Sequence, residues 1–417
     1  MNNHKIRVFI CLLAFFSLKA NAENEIITLK ECYKQLYSNH PIALNKNLIF
    51  DKEKILTEIV QKGWKPGISI KAQITDQSDA VQMTQRDKYS IQAEVEQLLY
   101  DAGKIKTKKL LETENTSNEI LKNEIDLYSL RDKVNQYFFE IALNKNQQEI
   151  LKVSYDDLNS RLKYIESGIK NGIRLKTDAL ILNSEIISIE KEINEKSTNR
   201  IALIKMLSEL LGTDYNDSYI FQIPEISGSY AISDDFKNRY EIKLFDSERK
   251  KIDLIDTFNN LKTKPVVSVF GQTGYANPAL NMFQDKFEAY LITGFRLSWR
   301  PIDWNVNRDE IKANALRKKI IENQQKIFLK NMRINEIKIK SEIANLSNQI
   351  SMDKELIKIK NEILESVTSQ FNNGVLNSTD FITHTNSLLS AKRTLSLHLI
   401  QSAYFDIMLK TLKGEEL

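Results

Sequence analysis

Apolar residues recur at helical spacing over most of the chain. Leu151, Tyr155, Leu158, Leu162, Ile165 and Ile169 follow steps of four and three. Ile343, Leu346, Ile350, Ile357, Leu364, Val367 and Phe371 hold a heptad frame that only Asp353 and Lys360 interrupt. A 3.5-residue period kept this long describes a narrow seam packed on neighbouring helices, as in a coiled coil. Proline would break such helices, and the six prolines fall at 41, 66, 224, 265, 278 and 301, leaving two long Pro-free stretches. The pattern predicts helices over Lys104–Asn171 and Asn305–Asn373. Each is roughly 100 Å long at ~1.5 Å per residue. A compact domain has no use for helices of that length, so they are read as spanning elements.

Two regions switch to period 2. In Ile68-Ser-Ile-Lys-Ala-Gln-Ile-Thr75, Ile68, Ile70, Ala72 and Ile74 share one face, and Ser69, Lys71, Gln73 and Thr75 the other. Tyr89-Ser-Ile-Gln-Ala-Glu-Val-Glu96 alternates in the same way. A second pair, Val266–Tyr275 and Phe287–Trp299, alternates less strictly, with Phe295, Leu297 and Trp299 on one face. Polar loops at Asp76–Lys88 and Ala276–Lys286 make two hairpins. Strands of roughly 9–11 residues suit a tilted bilayer crossing. A half-buried hairpin in a soluble domain would show the same alternation; the long helices and the N-terminal segment favour the membrane.

The halves repeat. Asp101, Gly172, Asp178 and Gly212 match Asp303, Gly374, Asp380 and Gly414 at one offset of 202 residues, and Pro66 answers Pro265. An internal duplication of helix, hairpin, very long helix, Gly turn and returning helix explains the register. The expected organisation is a signal peptide at 1–22, a first repeat at 23–212, a connecting segment at 213–235 and a second repeat at 236–417. The hairpins fall at 66–99 and 265–300. Within the signal, Lys5 and Arg7 precede an apolar run, and Ala20-Asn21-Ala22 supplies small residues for cleavage.

Composition narrows the chemistry. Of 417 residues, 59 are Lys or Arg and 55 Asp or Glu, a net charge of +4. Without the leader's Lys5, Arg7 and Lys19 the chain is near neutral, so no basic field argues for a nucleic-acid partner. No run of 18 apolar residues follows the N-terminus, which excludes a polytopic helical membrane protein. Cys32 is the one cysteine after the leader, so there is no intrachain disulfide or Cys-cluster metal site; it is expected to be buried on an N-terminal helix. His4, His40, His384 and His398 are scattered, and no nucleophile elbow, HExxH or P-loop occurs. No cofactor, metal or catalytic residue is expected, and the chain is read as a non-enzyme.

Four strands cannot close a barrel, and open sheet edges are not tolerated in lipid. Three copies would supply twelve strands with apolar residues outward and a wet interior, above a cylinder of helices. The expected fold is therefore mostly α with a membrane β-barrel contribution: tandem repeats of very long coiled-coil helices plus β-hairpins. A soluble periplasmic coiled-coil adaptor or spacer is the alternative, although an adaptor would carry one helical hairpin rather than two.

These residues carry a resemblance. Ser38-Asn-His-Pro-Ile-Ala43, Lys65-Pro-Gly-Ile-Ser-Ile, Leu99-Tyr-Asp-Ala-Gly-Lys104, Asn238-Arg-Tyr-Glu-Ile242, Trp299-Arg-Pro-Ile-Asp303 and Phe371-Asn-Asn-Gly-Val-Leu-Asn-Ser-Thr-Asp380 resemble, in order, motifs of the TolC family of outer-membrane efflux and secretion channels. The resemblance implies a homotrimer in the outer membrane of a Gram-negative bacterium, with a twelve-stranded barrel and a helical tunnel through the periplasm. Its implied partners are outer-membrane lipid, a membrane-fusion adaptor and an inner-membrane pump or ABC transporter. Together they form a tripartite efflux or type I secretion system in which this chain is the passive exit duct.

Carried over residue by residue, the adaptor-docking turns at the periplasmic tip are Asn171, Gly172, Ile173, Arg174 and Leu175, and Asn373, Gly374, Val375, Leu376 and Asn377. Gly172 and Gly374 would also be expected in any sharp helix reversal. Asp178 and Asp380 lie just beyond; threefold symmetry would gather each into a ring able to constrict the pore and attract cations. A helix N-terminal carboxylate facing the dipole is the plainer role for either. Where the family has Tyr and Arg in its second turn, this chain has Phe371 and Leu376. Arg174 or Lys176 paired with Asp178 or Asp380 is the expected substitute for the closing contacts.

Overall fold

A computed structural model describes residues 25–78, 86–225 and 236–415. The expected leader at 1–22, part of the first hairpin loop and the end of the connecting segment lie outside the described residues. Strand β1 (Ile26–Thr28) leads into helices α1 (Leu29–Asn39) and α2 (Pro41–Gln61). They are parted where Pro41 sits at the first position of α2 and the His40 ring Nδ1 accepts the Ile42 N–H at 3.2 Å. The first hairpin is β2 (Gly67–Asp76) and β3 (Asp87–Tyr100), followed by α3 (Lys104–Lys170) and α4 (Lys176–Leu211). After β4 (Ile220–Gln222) and α5 (Tyr240–Lys262) come β5 (Val266–Asn277) and β6 (Glu288–Ser298), then α6 (Val306–Asn372) and α7 (Ser378–Lys413).

The duplication holds to the residue in the long helices. Both α3 and α6 have 67 residues, both α4 and α7 have 36, and each pair is offset by 202. The entry joints are also twins. Ala102-Gly103 and Trp304-Asn305 all have positive φ, between 53° and 89°. Asp101 holds its joint by accepting the Gly103 and Ile105 N–H groups at 2.8 and 2.6 Å. Asp303 accepts those of Asn305 and Asn307, both at 3.1 Å. A carboxylate on two orphan donors fixes the sharp exit from strand to helix.

The four hairpin strands form one antiparallel sheet ordered β2-β3-β5-β6, which leaves β2 and β6 as its edges. The helices follow the same order. Beside the sheet, α2 packs on α3, α3 on α5 and α5 on α6; toward the far end α4 packs on α3, α3 on α7 and α7 on α6. Thus α2 and α4 lie on the β2 side of the wall and α6 on the β6 side.

Two cores hold the wall. The central one joins α1, α3, α4 and α7 around Phe138, Ile141, Leu207, Leu211 and Ile407. The distal one follows the seam: Leu151, Leu158 and Ile165 meet Leu182, Ile186 and Ile189, with Phe371 and Phe381 at the tip. The polar interruptions of the α6 seam find partners on α7. Asp353 Oδ2 lies 2.6 Å from His398 Nδ1, and Lys360 donates to Ser387 Oγ.

The connecting segment adds to the central core. Within it β4 pairs in parallel with β1, and Phe221 stacks edge-on against Phe138 at 5.5 Å. Cys32 is fully buried in the same cluster, and burial pushes its thiol up to about 12. In protein lacking residues 1–22, that thiol should resist a maleimide or aromatic disulfide reagent at pH 8 and react fully once denaturant is added. Rapid labelling of the native protein would contradict this packing.

Candidate functional site

The sheet separates two environments. Ile68, Ile70 and Ile74 on β2 are 73–78% exposed, and Ile91, Val95, Leu291, Phe295 and Leu297 continue the same outward face. No helix among the described residues is long and apolar enough to cross a membrane. The outward sheet face is a contiguous exposed apolar surface of the kind that marks an interaction site. The opposite face is polar and internally bonded. Arg296 bridges Glu94 at 2.7 Å and Glu96 at 2.6 Å, Lys71 lies 3.7 Å from Glu94, and Gln272 donates to Gln92 at 2.6 Å. Tyr290 crosses this face over Gly274, where a Cβ would meet the ring at 2.5 Å, so a larger residue there would displace the Tyr290 ring.

Aromatic residues mark both ends of the outward face. Tyr275 stacks on Phe287 at 5.5 Å, with Tyr89 6.2 Å away, at the loop end. At the helix end lie Trp64, Tyr100, Trp299 and Trp304, all exposed, and they include every Trp of the chain. From Tyr89 to Tyr100 the strand runs roughly 36 Å, or about 28 Å along the axis of a barrel tilted near 40°. That separation is close to the height of the apolar band between the aromatic girdles of transmembrane β-barrels in general. These aromatics stand at the strand ends in the sequence, but alternation alone does not set them apart from the other apolar positions.

The distal turns lie at the opposite end of the helices. Gly172 and Gly374 have φ of +75° and +76°. Around each, the N–H three residues past the helix bonds back five residues: Ile173 to Gly168 O at 2.8 Å and Val375 to Gln370 O at 2.9 Å. The main chains are thus Schellman twins, while the side chains differ. Arg174 Nη2 donates to Phe371 O at 2.5 Å and Asn372 O at 3.2 Å, and the guanidinium lies 4.8 Å over the Phe371 ring. Phe371 stacks on Phe381 at 4.8 Å, and Arg161 covers Phe381 at 4.6 Å. Leu376, at the equivalent place in the second turn, packs into the distal core. Asn171, Ile173, Leu175, Asn373, Val375 and Asn377 are exposed.

The expected charge pairs do not form within the protomer. Arg174 turns instead to the carbonyls ending α6, which are orphan acceptors at the negative end of the helix dipole. Asp178 accepts the Leu175 N–H at 3.4 Å and the Ser378 hydroxyl at 2.7 Å. Asp380 is exposed, and the Asn377 side chain caps its N–H at 2.8 Å. Asp178–Ser378 opens a ladder between α4 and α7. Glu185 accepts from Asn386 at 2.9 Å and Glu192 from Arg393 at 2.6 Å, one link per heptad of α4. Among the described residues, no group of three His, Cys, Asp or Glu could hold a metal ion.

A sheet with one lipid-like face, joined to paired helices of this length, has the TolC-like fold of outer-membrane channels. Among solved structures, the chain is similar to CusC (TM-score 0.71, 14% identity, covering 93% of this chain and 92% of that one). It is also similar to the outer membrane protein VceC from Vibrio cholerae (0.70, 13%, 93% and 96%) and to the Campylobacter jejuni outer membrane channel CmeC (0.65, 13%, 93% and 85%). At such identities the backbone fold is what is shared. No protein-family model and no curated protein matches the sequence.

Proposed function

We propose that three copies of this chain close into an outer-membrane channel, the passive exit duct of a tripartite efflux or type I secretion system in a Gram-negative bacterium. One observation carries the reading: the protomer is open on both sides, in sheet and wall alike. β2 and β6 are unpaired edges beneath an apolar outward face, which lipid does not tolerate unless other copies pair them. The helical edges match. Exposed Leu44, Leu48, Ile55 and Ile59 on α2 and Leu180, Ile187 and Ile201 on α4 keep heptad steps, as do Ile320, Ile327 and Ile334 on α6. Joining the α6 edge of one copy to the α2/α4 edge of the next would bury both stripes. Similarity to solved outer-membrane channels over 93% of the chain supports the same reading. Detergent-extracted protein should have the mass of a trimer, sediment with outer membranes and conduct ions in planar bilayers. A water-soluble monomer would favour the adaptor or spacer alternative.

In this duct the turns Asn171–Leu175 and Asn373–Asn377 form the tip that docks a membrane-fusion adaptor, and an inner-membrane pump or ABC transporter supplies the energy. The tip is also the gate. Arg174 and the α4–α7 ladder hold the two helical hairpins together. Asp380, exposed with its carboxylate free of hydrogen-bonded partners, forms the cation-attracting ring more readily than Asp178, whose carboxylate is engaged by Leu175 and Ser378. Asp380→Ala should lower cation preference and raise conductance in planar bilayers; unchanged values would remove the ring.

A further inference from the structure

Arg131, on α3 beside the central core, is nine-tenths buried. Its Nε donates to Tyr37 Oη at 2.9 Å, and its guanidinium lies 4.6, 5.1 and 4.6 Å from the ring centroids of Tyr33, Tyr37 and Tyr128. Among the described residues no carboxylate pairs with it. Ring faces recover part of the cost of taking a guanidinium out of water, and an anion would recover more. Arg131 lines a cavity of about 420 Å³ together with Tyr128, Arg239, Tyr240, Lys243 and Glu415. Lys243 lies 5.3 Å over the Tyr240 ring and also forms no ion pair among the described residues. Arg239 is bound to Glu241 and donates to Thr411 O at 3.2 Å. The cavity sits at the start of α5, whose N-cap Arg239 makes no side-chain cap bond, so the positive end of a 23-residue helix adds to the three cations. Glu241 and Glu415 offset only part of this charge.

We propose that this cavity is an oxyanion site that takes a small polyanion bearing carboxylate or phosphate groups. It is wider than a single phosphate needs and has room for pyrophosphate or citrate. Its walls come from α3, the start of α5 and the end of α7. The edge helices α2, α4 and α6 contribute no lining residue, and the proposal does not depend on the channel reading.

The test is thermal unfolding and titration calorimetry of the purified full-length protein in detergent, with pyrophosphate and citrate compared against sodium chloride at equal ionic strength. Binding to the folded state predicts a Tm that climbs with the logarithm of polyanion concentration above the dissociation constant. Lys243→Gln, a change at an exposed position, should weaken apparent affinity on the order of ten-fold, the loss of one charge-assisted contact. Arg131→Met should abolish binding, and Lys251→Gln, on the same helix outside the cavity, should leave it unchanged. No saturable effect beyond that of chloride, or a folded Lys243→Gln protein that binds like the parent, would overturn the proposal.

Discussion

Ile70→Arg is expected to eliminate the assembled trimer from outer membranes, whereas Ser69→Arg, one residue earlier, leaves it in place. Successive side chains of a strand point to opposite faces. Ile70 projects from the middle of β2 on the outward face, 73% exposed in the protomer. A guanidinium there would face hydrocarbon, at ~2–4 kcal/mol near the bilayer midplane of a barrel. In the proposed trimer that cost is incurred three times. Ser69 sits opposite Glu94 on the polar face, where an added arginine meets water and a carboxylate. Cold gel electrophoresis of the outer-membrane fraction separates the two outcomes. Parent-like trimer from Ile70→Arg would mean that this face does not meet lipid.

Arg174→Ala should shift the tip toward its open state by at least ten-fold, seen as larger and longer openings in planar bilayers. The substitution removes two charge-assisted bonds to the carbonyls of Phe371 and Asn372 and the stack on the Phe371 ring. Hydrogen bonds to charged groups contribute about 1.5–3 kcal/mol each and a partly exposed cation–π contact ~0.5–1. Loss of half that sum already exceeds the ~1.4 kcal/mol of one decade. Arg174→Lys keeps the charge but loses the planar fork and the stack, so it should fall between the two. Parent conductance in Arg174→Ala would leave the tip without this fastening.

The parts of the fold that were legible are those whose pattern is local. Alternation at 68–75 and 89–96 declared the hairpin because one face of the sheet is apolar and the other polar. The heptads at 151–169 and 343–371 declared the long helices, and Asp101, Gly172, Asp303 and Gly374 marked where they begin and end. What escaped is non-local. β1 and β4 are three residues each, too short to alternate, and they pair across 194 positions. Arg174 was expected to seek a carboxylate, because the carbonyls it binds belong to a helix end brought to it by the second repeat. Asp178 and Asp380 are equivalent by sequence offset. They differ in space because Ser378 reaches Asp178, while the matching position for Asp380 in the first repeat is Lys176.

The twin lengths of 67 and 36 residues constrain how this chain can vary. One residue lost from α3 alone would lower its turn by ~1.5 Å and rotate it by about 100° against its twin. Arg174 would then face away from α6, and every seam contact below the deletion would change partner. Tolerated size changes must therefore come in whole heptads and be matched in both arms of both repeats. The length of these helical hairpins is thereby quantised, in steps of ~10 Å.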